Sequence, residues 1–317
     1  MSANTTLVLS DTAVLQKICG ANDRNIAHME ELFAAPVKVR GNELHLDSAG
    51  TEEQERFRHL LAELVQCVRG GHNPEPGLIG ALYRQLSGDD QTSPELFRLN
   101  SVDLPLSKTR VFPRTGGQVA VLESLRENSL TFLIGPAGTG KTYLAVAHAL
   151  QELLSKRRRK LVITRPVVEA GENLGFLPGD LAQKINPYLR PLYDAIESLI
   201  SPDLVRRLYE QNLIEVAPLA YMRGRSLKDC YVILDEAQNT TPEQMKMFLT
   251  RLGENSRAVV TGDITQVDLP RKQASGLAHA AGILAGLEDI RVVHLTRKDV
   301  VRSALVQRIV QAYDEHA

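Results

Sequence analysis

Leu130-Thr131-Phe132-Leu133-Ile134 runs directly into Gly135-Pro136-Ala137-Gly138-Thr139-Gly140-Lys141-Thr142. The first part suits a buried strand, and Lys141-Thr142-Tyr143-Leu144-Ala145 opens a helix. Between them the spacing is G-x-x-x-x-G-K-T, the phosphate-binding P-loop, in the strand-before, helix-after context that the motif requires. Glycines let the loop curl so that backbone N–H groups face inward, and the helix N-terminus adds partial positive charge. The expected phosphate-binding set is Gly135, Pro136, Ala137, Gly138, Thr139, Gly140, Lys141, Thr142 and Tyr143. Lys141 would reach the β- and γ-phosphates, and the Thr142 hydroxyl would sit on Mg²⁺. The stretch predicts binding of a nucleoside triphosphate.

Working outward, strands alternate with helices from Val111 onward, the pattern of a parallel sheet covered on both faces. Strands are predicted at Leu130–Ile134, Leu161–Thr164, Tyr231–Asp235, Ala258–Gly262 and Ile290–His294. Helices are predicted at Gln118–Arg126, Lys141–Leu154, Glu243–Leu252, Gly276–Leu287 and Val300–Tyr313. Val232-Ile233-Leu234-Asp235-Glu236 is an apolar strand ending in acids, which places the carboxylates at the carboxyl edge of the sheet beside the P-loop. Asp235 would hold Mg²⁺ through water, and Glu236 would polarise the attacking water as general base. Thr261-Gly262-Asp263-Ile264-Thr265-Gln266 also lies just past a strand. In folds with an extra central strand between the P-loop and Asp-Glu strands this loop faces the γ-phosphate, so Gln266 is a candidate to contact that phosphate or the lytic water. Gln118, upstream, can read adenine with its amide. The expected architecture is α/β, a RecA-like P-loop NTPase core over residues 111–317 with an insertion at about 167–220.

The N-terminal part reads differently. Thr5–Leu9 looks like a short strand, Asp11–Ile18 and Asn25–Phe33 like helices, Pro36–Arg40 and Glu43–Leu46 like a hairpin, and Thr51–Arg69 like a longer helix closed by Gly70-Gly71. This order over residues 1–72 resembles the K-homology fold, which grips single-stranded RNA backbone through a G-x-x-G loop between two helices. Here the loop is Gly20-Ala21-Asn22-Asp23, with an acid in place of the second glycine. Residues 73–110, rich in turn formers, read as a linker with a short helix at Ile79–Leu86.

Composition narrows the setting. Of 317 residues 43% are hydrophobic and 24% charged, and the formal net charge is −1. Any nucleic-acid surface must therefore be local. Cys19, Cys67 and Cys230 have no metal-ligand spacing and fit free thiols. The polar, uncharged start Met1–Thr6 and the lack of any eighteen-residue apolar run lead to the expectation of a cytoplasmic protein without membrane contact.

With these residues in hand the chain resembles the PhoH-like ATPase family, and its core resembles superfamily 1 helicases. The segments that carry the resemblance are Gly135–Thr142, Thr164-Arg165-Pro166, Gly171–Gly179, Tyr221–Arg225, Leu234–Asn239, Met245–Arg251, Gly262–Pro270 and Asp299-Val300-Val301-Arg302. The last departs from the family, continuing Ser-Ala-Leu-Val where His-Pro-Leu-Val is usual. The resemblance implies an ATPase using ATP and Mg²⁺ in RNA metabolism, with a small endoribonuclease acting on ribosomal RNA as an implied partner. In helicase-like cores nucleic acid crosses the face that carries the insertion, which makes Arg165, Arg190, Arg223 and Arg225 candidate phosphate contacts. Lys156–Lys160, at the end of the P-loop helix, reads as cations that complement the helix dipole.

Three rivals are weighed against this reading. A GTPase would read guanine with T-K-x-D, but in Thr296-Arg297-Lys298-Asp299 the lysine comes one place late. A small-molecule kinase would not need Asp235-Glu236. A non-motor scaffold would use ATP only for assembly on RNA. A helicase core borrows arginines from a second core, whereas this sequence shows one, so a homo-oligomeric ring is expected. It would be a hexamer, with Arg302 as first candidate finger and Arg165 and Arg297 as alternatives.

Overall fold

The computed structural model describes residues 6–9, 11–48, 50–71, 73–87, 94–107, 109–167, 181–270, 273–301 and 309. The chain divides into two units, Met1–Ser101 with Phe112–Val119 and Val102–Val111 with Ala120–Ala317.

In the first unit, β1 (Thr6–Val8), α1 (Thr12–Cys19), α2 (Arg24–Phe33), β2 (Val37–Arg40), β3 (Glu43–Leu46) and α3 (Thr51–Arg69) follow in the predicted order. The strands form an antiparallel sheet in the order β1-β3-β2. Asp11 caps α1 by accepting from the Ala13 N–H at 2.8 Å. Asn22 and Asp23 both lie in the left-handed region, at φ 52° and 55°, which Asn and Asp tolerate better than most residues. The loop thus keeps a glycine-like backbone where its sequence lacks the second glycine.

Residues 73–110 are not a linker. α4 (Pro76–Leu86) buries Leu78, Ile79 and Leu82 in the same core as Phe57, Leu61 and Met29. α5 (Pro94–Leu99) buries Phe97. β4 (Val102–Leu104) and β5 (Thr109–Val111) pair as an antiparallel hairpin of the second unit, where Val102, Leu104 and Val111 join the core beneath the P-loop helix. The turn formers mark the corners between these short elements, and the apolar residues between the turns supply the packing.

The second unit is a six-stranded sheet in the order β11-β6-β10-β9-β7-β8. Its strands are β6 (Leu130–Ile134), β7 (Lys160–Arg165), β8 (Ile214–Pro218), β9 (Cys230–Leu234), β10 (Arg257–Gly262) and β11 (Ile290–His294), and every pairing is parallel. β6 and β9 are buried along their whole length, as apolar strands covered on both faces must be. The helices are α6 (Gly116–Glu127), which starts in the first unit, α7 (Lys141–Leu154), α8 (Leu181–Glu197), α9 (Pro202–Glu210), α10 (Pro242–Leu249) and α11 (Gly276–Leu284). α10 opens with a full capping box, Thr241 against Gln244, with Pro242 in the first turn. It stops before the predicted Leu252, because the Thr250 hydroxyl donates back to the Lys246 carbonyl and Leu252 pairs with Leu227 in a parallel bridge. The predicted helix Val300–Tyr313 lies outside the described residues apart from its first two positions and Ile309. Cys19, Cys67 and Cys230 are all buried. Among the described residues no helix is long and apolar enough to cross a membrane.

Candidate active site

The site grows from the order of the strands. β10 lies between β6 and β9, so the chain leaves three neighbouring strands at one sheet edge with three different loops: the P-loop, Asp235-Glu236, and Gly262–Gln266. At the first, the Gly135 N–H donates to the Gly262 carbonyl at 3.1 Å. A Cβ at Gly135 would lie 2.6 Å from the Leu295 carbonyl oxygen, so only glycine fits. Gly138 and Gly140 adopt φ of 83° and 82°, which turns the loop into the start of α7. Lys141 is 9% exposed and folds back to donate to the Gly135 and Pro136 carbonyls at 2.6 and 2.8 Å. Burial lowers its ammonium pKa, opposed by the charges of Asp263, Glu236 and Asp235.

Asp235 is the hub of the second loop. Thr142 and Thr261 both donate their hydroxyls to its Oδ1, each at 2.6 Å. This ties the P-loop helix and the middle strand to the acid strand at one oxygen. Glu236, one residue on, sits at φ 52°. Gln238 Nε2 donates to Glu236 Oε2 at 2.5 Å, and Arg165 Nη2 lies 3.4 Å from Glu236 Oε1. Gln238 Oε1 in turn accepts the Asp263 N–H at 3.1 Å. Asp263 itself accepts from the Thr265 N–H and hydroxyl and from Gln266 Nε2 at 2.7 Å. Burial raises its pKa, but those hydrogen bonds and Lys141 outweigh it, so the net shift is downward.

The three loops enclose a cleft of about 280 Å³. Lys141, Thr142, Tyr143, Asp235, Glu236 and Gln266 all line it. Thr139 is turned to its own loop, its hydroxyl donating to the Pro136 carbonyl at 2.9 Å. Gln118 belongs to the first unit, where it is buried and its Oε1 accepts the Arg114 N–H at 2.7 Å. Arg302 lies outside the described residues. Thr261, Gln238 and Asp263 complete the site without having been assigned roles from sequence; their one signal is position, each within a few residues of a strand end.

The expected phosphate-contacting arginines separate. Arg225 makes a bidentate pair with Glu215 at 2.6 and 2.9 Å, with Lys160 on the same carboxylate at 2.6 Å. Arg190 pairs with Asp194 at 2.9 Å. Arg225 is thus tied into the fold, whereas Arg190, paired within its own helix, and Arg223 are both exposed. In the run 156–160, Arg157 bonds to Glu152 and Arg158 to Asn255.

An all-parallel sheet with a P-loop on β6, an Asp-Glu pair ending β9 and a polar turn after the strand between them defines a P-loop NTPase core. Within that class the chain belongs to the PhoH-like protein family, which its residues 110–314 match. A PhoH-like protein of Bacillus subtilis is 56% identical over 297 residues, 93% of this chain and 92% of that protein. One from Mycobacterium leprae is 46% identical over 299 residues, 94% of this chain and 85% of its own length. Protein PhoH of Escherichia coli is 45% identical over 205 residues, 64% of this chain and 58% of its own. Among solved structures, a chain of the S. cerevisiae Hsp104–ADP complex aligns with 83% of this chain and 47% of its own at 14% identity and a TM-score of 0.28, a likeness too loose to carry any weight.

Proposed function

We propose that the chain is an ATPase that works with Mg²⁺ and couples hydrolysis to binding of single-stranded RNA. The observation that carries this reading is the Thr142–Asp235 contact at 2.6 Å, with Glu236 one residue further along the same cleft. A hydroxyl and a carboxylate at one point are the oxygen donors Mg²⁺ takes at phosphate sites. Thr142 and Asp235 would hold the ion, and its charge would offset that of the phosphates. Lys141 exchanges two loop carbonyls for phosphate oxygens. Glu236 accepts the proton of the attacking water as the water oxygen bonds to the γ-phosphorus. The bond from that phosphorus to the β–γ bridging oxygen breaks, and ADP leaves. Gln266 orients the water or the γ-phosphate.

One observation weighs against a GTPase. The Asp299 carboxylate is buried and accepts the N–H and hydroxyl of Thr296 at 2.8 and 3.1 Å, so it serves its own turn instead of reading guanine. For RNA, the support is the K-homology-like element order and the left-handed backbone of Asn22 and Asp23. For a ring in which one subunit's arginine completes the next subunit's site, Arg302 stays first. Arg165 is engaged by Glu236 within its own chain, whereas Arg297 is exposed, as a residue that reaches a neighbouring subunit must be, and stays the alternative.

Phosphate release from ATP and GTP, with Mg²⁺ or with chelator, and with or without a single-stranded oligoribonucleotide, tests the reading. The expected result is ATP-preferring, Mg²⁺-dependent turnover that RNA raises. No release from Mg-ATP would contradict it. Mixing Arg302→Ala with Lys141→Ala subunits should restore part of the activity if the finger acts in trans, and none if it acts within one chain.

A further inference from the structure

Glu236 must turn a carboxylate oxygen toward water if it is the general base, yet each of its oxygens faces a partner that fixes its orientation. Oε2 takes the Gln238 amide at 2.5 Å, and Oε1 faces the Arg165 guanidinium at 3.4 Å. Arg165 closes β7, and its other head nitrogen, Nη1, donates to the Tyr188 carbonyl of α8 at 3.3 Å. One guanidinium therefore spans from the proposed base to a helix of the insertion. Tyr188 sits between Pro187 and Pro191. Each proline removes one helical hydrogen bond, so this turn of α8 bends more readily than its neighbours. The pair is also easily broken, because Glu236 is 38% and Arg165 22% exposed, and partly solvated ion pairs hold weakly.

We propose that Arg165 is a positioning residue that holds Glu236 away from the attacking water, and that displacement of α8 at Tyr188 by bound RNA releases it. This rests on the proposed ATPase activity and RNA binding, with RNA reaching α8 as well as the loop of Asn22 and Asp23. Turnover without RNA is then limited by the fraction of molecules in which Glu236 is released. Arg165 transmits the position of α8 to the base and contributes nothing to nucleotide binding.

The test uses the full chain as wild type, Arg165→Ala, Arg165→Gln and Arg165→Lys. It measures kcat and KM for Mg-ATP with and without a single-stranded oligoribonucleotide, the affinity for a fluorescent ADP analogue, and thermal melting. Arg165→Ala should raise kcat without RNA about two- to fivefold, the population shift a partly exposed pair can impose. KM and ADP affinity should stay at wild-type values, and stimulation by RNA should shrink toward onefold. Arg165→Lys, which keeps the charge, should recover part of the restraint. If Arg165→Ala melts below the assay temperature, Arg165→Gln, which keeps most of the volume, carries the measurement. Unchanged or lowered kcat without RNA in a folded variant, or an RNA stimulation equal to that of wild type, overturns the role of Arg165 and leaves the ATPase reading standing. A wild-type chain that releases no phosphate overturns both.

Discussion

Glu215 illustrates how a single residue can be spent on the fold when its neighbours suggest a binding surface. Arg225 and Lys160 were candidates for phosphate or dipole roles in the sequence, and both converge on this one carboxylate. The Arg225 hydrogen bond, opposed by burial and aided by Lys160, lowers the Glu215 pKa from 4.5 to about 2. The unfolded state, with the higher pKa, binds more protons between those values, so the stabilisation is complete above about pH 4.5 and lost as pH falls toward 2. Glu215→Gln should cost about 2 kcal/mol near neutral pH, allowing for partial exposure. Urea titrations of both proteins at pH 7 and pH 3 check this: the gap should narrow at the lower pH, and a constant gap would show that charge is not the cause.

At the scale of elements, the decisive placement is β10 between the P-loop strand and the acid strand, because it brings Gly262 against Gln238. A Cβ on Gly262 would lie 2.5 Å from Leu277 Cδ2 and 2.6 Å from Gln238 Oε1. Gly262→Ala must displace the amide that holds both Glu236 and the Asp263 N–H, so kcat should fall about tenfold or more for a displacement near 1 Å. The kinetics should be measured on protein whose circular dichroism is unchanged; wild-type kcat would contradict the coupling. β6 and α7 were legible to the residue, since a five-residue apolar run and a glycine-lysine start are local signals. β4, β5 and α5 were not, because a three-residue strand offers too few alternating positions to show a period, and a six-residue helix too few turns. The same logic divides the site. Lys141, Thr142, Asp235 and Glu236 announce themselves by spacing, while the Arg165–Glu236 and Thr261–Asp235 contacts join residues 71 and 26 positions apart and leave no local trace.

For the whole molecule, the unit boundaries change how RNA binding should be tested. A truncation before Val111 would split the β4–β5 hairpin, which belongs with the ATPase core. A point change in the intact chain avoids this. Asp23 occupies the left-handed position of the loop between α1 and α2, where its carboxylate would repel a phosphate. Asp23→Gly suits that φ and removes the charge, so single-stranded RNA affinity should rise several-fold at low salt and the gain should shrink with added salt; unchanged filter binding would place RNA elsewhere. Phosphate release by Glu236→Gln tests whether Glu236 is the base of an ATPase. Removing a general base costs about 10²–10⁴-fold in rate, while Lys141, Thr142 and Asp235 would still hold Mg-ATP, so ATP affinity should stay near wild type with turnover lower by at least about a hundredfold. Turnover at the wild-type rate in that variant would contradict that role for Glu236.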